Sequence, residues 1–175
     1  DDLWRRQKIN WCRPHARPFS TDTPERQAAY KLFVEAERSA QSSDARALTR
    51  AAALYKKALR LADEAPIRRP LAHLEGRLSG CDAALQTLSK LAPEAHRASE
   101  RTLIELCERY PPASSLTELQ RAAYLEEISQ VLTLRDAGVY LQAISRLSRS
   151  TFKAAISAQA LYADLLYGAG LCDDY

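Results

Sequence analysis

Apolar residues recur at intervals of three and four along most of the chain, the spacing of helices that bury one face. A first helix is expected from Thr23-Pro24-Glu25, where a hydroxyl caps, proline takes the first helical position and an acid meets the dipole. Ala29, Tyr30, Phe33, Ala36 and Ala40 share its inner face. The polar run Gln41 to Asp44 breaks it, and Asp44 caps a second helix bearing Leu48, Ala51, Tyr55, Ala58 and Ala62, which stops before Pro66. So short a connection makes the two an antiparallel hairpin.

The pattern continues in the same manner. A third helix is expected from near Pro70, with Leu71, Leu74 and Leu78, ending at Gly80. Asp82 caps a fourth with Leu85, Leu88 and Leu91, closed by Pro93. A fifth runs from Glu94 to about Tyr110, with Ala95, Ala98, Thr102, Leu106 and Cys107 inward, and Pro111-Pro112 ends it. Ser115 to Glu118 reads as a capping box for a long sixth helix carrying Leu119, Ala123, Ile128 and Leu132 as far as Gly138. Val139 to Ser148 and Phe152 to Tyr167, the latter capped by Ser150, complete the set. The expectation is an all-α protein of about eight helices in four stacked antiparallel hairpins, an α-solenoid over residues 23–175, preceded by an irregular arm over residues 1–22.

Composition agrees with this reading: Ala and Leu dominate, and five Gly and eight Pro are too few for a turn-rich β-protein. Charge divides the chain more sharply. Arg5, Arg6, Lys8, Arg13 and Arg17 lie in a stretch from Leu3 to Ser20 that has no acid, whereas the charges from Thr21 onward cancel. That neutral body disfavours a protein that is basic overall and binds nucleic acid with its whole surface. The arm also carries Trp4, Trp11 and Phe19, and Pro14 and Pro18 prevent one continuous helix. Such an arm is expected to dock on its own body or on a partner. Trp4, Arg5, Arg6, Lys8, Trp11, Arg13, Arg17 and Phe19 are therefore the candidate partner-binding residues, joined by Tyr167 and Tyr175 at the other end of the chain.

Arg-rich and free of acid, the arm is similar to a mitochondrial targeting segment, and Arg17-Pro18-Phe19-Ser20-Thr21 resembles a presequence-processing junction. A mitochondrial, matrix-side location is the expectation. Cys12, Cys81, Cys107 and Cys172 are widely and irregularly spaced, so each is expected to be a small buried hydrophobe in a reducing space. No apolar run approaches the ~20 residues that span a bilayer.

Catalytic signals are sparse. His15, His73 and His96 fall in three separate segments, and no nucleophile elbow, His-Glu-x-x-His or P-loop is present. Cys12 and His15 would supply half a metal site with nothing to complete it. The expectation is a protein that is not an enzyme, with no cofactor, no metal and no small-molecule substrate.

Two stretches resemble known helical repeats. Ala51, Ala52, Tyr55 and Ala58, followed by Pro66, are similar to the second helix of a tetratricopeptide repeat, although the Trp-Leu-Gly-Tyr pattern of the first helix is missing. Val139 to Ser150, followed by Phe152 to Ile156, resembles the helix, turn and second-helix start of a pentatricopeptide repeat. In size and repeat character the chain is similar to the small pentatricopeptide-like subunits on the F1 head of euglenozoan mitochondrial ATP synthases. That resemblance implies an accessory subunit that binds other protein subunits and touches no nucleotide. The other readings are a mitoribosomal or RNA-binding repeat protein, contacting RNA through its arm, and a tetratricopeptide-like adaptor for short peptides.

Overall fold

A computed structural model of the protein describes residues 18–42 and 44–171. The described residues form eight α-helices and no strand: α1 (Pro24–Ala40), α2 (Ala45–Leu61), α3 (Ala65–Leu78), α4 (Cys81–Leu88), α5 (Ala98–Arg109), α6 (Glu118–Asp136), α7 (Tyr140–Arg149) and α8 (Ile156–Gly168). Each helix packs on the next one in sequence, and α3 also packs on α6.

Local chemistry accounts for most of the boundaries. The Thr23 hydroxyl accepts from the backbone N–H of Arg26 at 3.3 Å, with Pro24 in the first turn of α1. Asp44 accepts from Ala47 N–H at 3.1 Å and starts α2. Gly80 has φ +106° and its N–H returns to the Glu75 carbonyl at 2.8 Å, and Gly138 has φ +74° after α6. Both adopt a conformation that a side chain would strain.

Five expectations about boundaries are corrected. The third helix begins at Ala65, not near Pro70: Pro66 occupies its first turn, and Pro70 lies inside it. Gly80, not Asp82, is the N-cap of α4, with Asp82 in the first turn facing the dipole. Glu94 lies in a 3-10 turn, Pro93–Ala95, so α5 starts later, at Ala98. There the Glu100 carboxylate accepts from Arg97 N–H at 2.6 Å. The box before α6 pairs Thr117 with Gln120, through Gln120 N–H to Thr117 Oγ1 at 3.3 Å and Thr117 N–H to Gln120 Oε1 at 3.0 Å. Ser150 turns the chain instead of capping α8. Its hydroxyl accepts from Phe152 N–H at 3.1 Å, and the Phe152 ring packs edge-on to Tyr124 with centroids 5.3 Å apart.

Two cores share α3. The first joins Phe19, Ala29, Ala36, Leu48, Ala51, Tyr55 and Ala58 to Ile67, Leu71 and Leu74. The second runs from Ala72 through Ala84, Leu88, Leu103 and Leu106 to Tyr124, Ile128, Leu132, Leu147, Leu161 and Leu165. At Gly76, where α3 meets α6, an added Cβ would sit in ordinary contact, 3.6 Å from Leu125 Cδ1. Gly168 is different: between α7 and α8 an added Cβ would meet the Tyr140 ring at 2.5 Å, so the close approach there needs glycine.

The cysteine expectation is overturned in part. Cys81, at the start of α4, and Cys107, in α5, form a disulfide with their Cα atoms 5.2 Å apart. Both join the edge of the second core as α4 folds back toward α5, which brings together thiols that are 26 positions apart in sequence.

Candidate protein-binding surface

The aromatic arm is rooted at Phe19. This ring is only 8 % exposed. It lies edge-on to both Tyr30 and Phe33, with centroids at 6.0 and 5.9 Å, and Phe33 continues the contact to buried Tyr55. Tyr30 and Phe33, one turn apart on α1, therefore hold Phe19 with dispersion and quadrupole contacts. Of the expected binding residues, Phe19 is thus spent on the protein's own core. Trp4, Arg5, Arg6, Lys8, Trp11, Arg13, Arg17 and Tyr175 lie outside the described residues.

Tyr167 stands on the opposite end of the molecule and is 77 % exposed. It belongs to a face the sequence reading did not single out. α8 buries Ala158, Leu161 and Leu165 in the second core, while Ile156 (87 % exposed), Ala160, Ala163 and Tyr167 point outward. Asp164 is the helix's only charged side chain. With one charged residue in thirteen and apolar side chains on both its inner and outer sides, α8 has the composition of a helix covered on both, and that composition was the available signal.

Two grooves add to this surface. One, of about 540 Å³, lies between α6 and α7 beneath Leu141, which is 68 % exposed; Arg146 pairs with Glu127 at 2.8 Å along its wall. The other, of about 500 Å³, runs between α3 and α6 and is lined by His73, Arg77, Ala122 and Leu119. The expectation that Leu119 and Ala123 face the core is corrected: both are exposed, Leu119 at 81 %, and α6 turns Tyr124, Leu125, Ile128, Val131 and Leu132 inward. In α5, likewise, Ala98 is exposed and Leu103 takes an inner position.

His73 lies in the wall of the second groove, and buried carboxylates elsewhere in the body are paired with cations. Burial holds the His73 imidazole below its ordinary pKa of 6.5, against the opposing pull of the Glu100 carboxylate. Glu100 is itself buried, 3.5 Å from Arg69 Nε, and Arg69 Nη2 donates to the Ala95 carbonyl at 2.9 Å. Glu75, also buried, meets Lys56 at 2.9 Å. These carboxylates serve to hold loops and helices in place. Among the described residues, no three His, Cys, Asp or Glu side chains cluster as metal ligands would, and no helix is long and apolar enough to cross a membrane.

The described residues thus form an all-helical fold that carries bulky apolar side chains on its outside. Comparison with protein-family models, with curated proteins and with solved structures finds no match.

Proposed function

We propose that this protein is a non-catalytic structural subunit of a larger mitochondrial protein assembly, built on a degenerate tetratricopeptide- or pentatricopeptide-like stack. In its sharpest form it is a peripheral subunit on the F1 head of an ATP synthase, bound to the outside of a catalytic-head subunit and adding contact area without touching nucleotide. The observation that carries the reading is the set of large apolar side chains left exposed on α6, α7 and α8, Leu119, Leu141, Ile156 and Tyr167, together with Leu171 just beyond α8. Side chains of this kind supply binding energy when a partner covers them. The Arg-rich composition of the arm supports the mitochondrial assignment. The Cys81–Cys107 bond runs against the reducing space expected of a matrix-side location, so its redox state in the native protein bears directly on the mitochondrial assignment.

Native purification followed by mass spectrometry of the co-purifying proteins tests the proposal. Recovery with the subunits of one assembly is expected, and Trp4→Ala combined with Trp11→Ala should weaken incorporation while leaving helical circular dichroism unchanged. Recovery with ribosomal RNA, at a salt-sensitive affinity lost on neutralising Arg5, Arg6 and Lys8, would replace it with the RNA-binding reading. Isolation as a free chain that captures short peptides would replace it with the adaptor reading.

A further inference from the structure

The outward face of α8 has a symmetry of its own. Ile156, Ala160, Ala163 and Tyr167 are spaced four, three and four residues apart and read large, small, small, large. Turned end for end, the helix presents the same pattern: Ile156 falls on Tyr167, and Ala160 falls on Ala163. All four are exposed. The geometry points to a second copy of this chain as the occupant of this face, docked through an antiparallel, two-fold α8–α8 contact. This rests on the reading that the exposed apolar surface is covered in the working protein, and it names the partner for one part of it.

Four properties favour a copy of the same helix over an unrelated partner. A two-fold contact requires a patch that complements itself, and this one does so residue by residue. The central alanines permit axes at the close end of the usual 8–10 Å helix separation, with the Ile156 and Tyr167 side chains closing over each end. Charge raises no objection, because Asp164 is the only charged residue of α8 and is already engaged by Arg109 Nη2 at 2.8 Å and by the Tyr110 hydroxyl. Antiparallel pairing also sets the positive end of each helix dipole beside the negative end of the other. One helix face is smaller than the about 800 Å² per partner of a standard interface. A dissociation constant in the micromolar range is expected.

Sedimentation equilibrium of the full chain across the micromolar range tests this directly. The mass should rise with concentration from that of one chain to that of two. In the proposed arrangement Ala160 faces Ala163 of the other copy, so A160K/A163K should abolish the rise, whereas A160S/A163S, which keeps both positions small, should retain it. Circular dichroism checks that each variant folds, and Y167S, at an exposed position, provides an independent disruption. A chain that stays monomeric throughout overturns the inference, as does a dimer that A160K/A163K and Y167S both leave intact. If the wild type is monomeric but A160K/A163K no longer co-purifies with its native assembly, the self-contact fails while the subunit reading stands.

Discussion

The Tyr110 hydroxyl donates to the carboxylate of Asp164, joining the end of α5 to α8 across 54 positions of sequence. Arg109 reaches the same oxygen, Oδ2, at 2.8 Å. Burial, reinforced by that carboxylate, pushes the Tyr110 phenol up to about 12. Because the fold favours the protonated phenol, the associated stability is complete below the ordinary value of 10 and is lost as pH rises from there to about 12. Ultraviolet titration should show phenolate signal missing at pH 10 and recovered on alkaline unfolding. Tyr110→Phe should remove this component and cost about 1 kcal/mol near neutrality, the net value of one hydrogen bond; an unchanged alkaline titration would contradict the assignment.

Reducing the Cys81–Cys107 bond should destabilise the second core. The bond spans 26 positions, and chain-entropy arguments give about 3 kcal/mol for a loop of that length. Cys81→Ser with Cys107→Ser should lower the urea midpoint to that of the reduced wild type, without a further fall on adding reductant. Peptide mapping after thiol blocking checks the pairing, and free thiols at both positions in protein from its native compartment would count against it.

Phe19→Ala removes a nearly buried ring that contacts two others. A loss of about 3 kcal/mol is expected from the cavity and lost transfer energy. Phe19→Leu should recover most of it. The same change frees the root of the arm, so protease cleavage near Thr21 should accelerate more than cleavage within α6.

Acid should act in two stages. His73 is held below 6.5 mainly by burial, so the fold favours the neutral ring; its contribution is whole above 6.5 and declines as pH falls below that value. Glu105 is held below its ordinary 4.5, chiefly by hydrogen bonds from Arg135 at 2.6 and 2.7 Å, and contributes a later loss below 4.5. Urea midpoints on either side of pH 6.5 should converge in His73→Gln, while the loss below 4.5 persists in that variant and disappears in Glu105→Gln. Identical pH profiles for wild type and His73→Gln would refute the first stage.

The helices were legible in the sequence where their limits depend on neighbouring residues, as at Thr23-Pro24, Asp44, Gly80 and Gly138. Others were misread although their signals are local, as at Pro66 and Thr117, and at α8 a distant contact decides. Phe152 has an adequate cap in Ser150, yet its ring is drawn to Tyr124 and the start of α8 moves to Ile156. The face of α6 was readable and missed: from Leu119 to Ile128 an α-helix makes about two and a half turns, so the two cannot share a side. Phe19 could be recognised as an anchor, but only the packing of α1 shows that it is the protein's own core that it anchors to. The disulfide had no local signal, since it depends on how α4 returns to α5. The outward face of α8 was visible as four spaced apolar residues, but only the burial of Leu161 and Leu165 shows which side remains open.

The sharing of α3 between the two cores has a consequence for the order in which the chain acquires structure during synthesis. Everything needed to close the first core, from Phe19 to Leu74, has been made once α3 is complete. Its other side is covered afterwards, by Ala84 of α4, Leu103 of α5 and finally Leu125 of α6. In the interval that waiting side shows Ala72 and Gly76, the smallest apolar surface available, while Ile67, Leu71 and Leu74 are already under cover. A nascent chain with its large side chains sheltered and only small ones bare offers little for other chains to stick to. The small residues on which α4, α5 and α6 close in the finished protein are thus also those least hazardous to leave uncovered while it is being made.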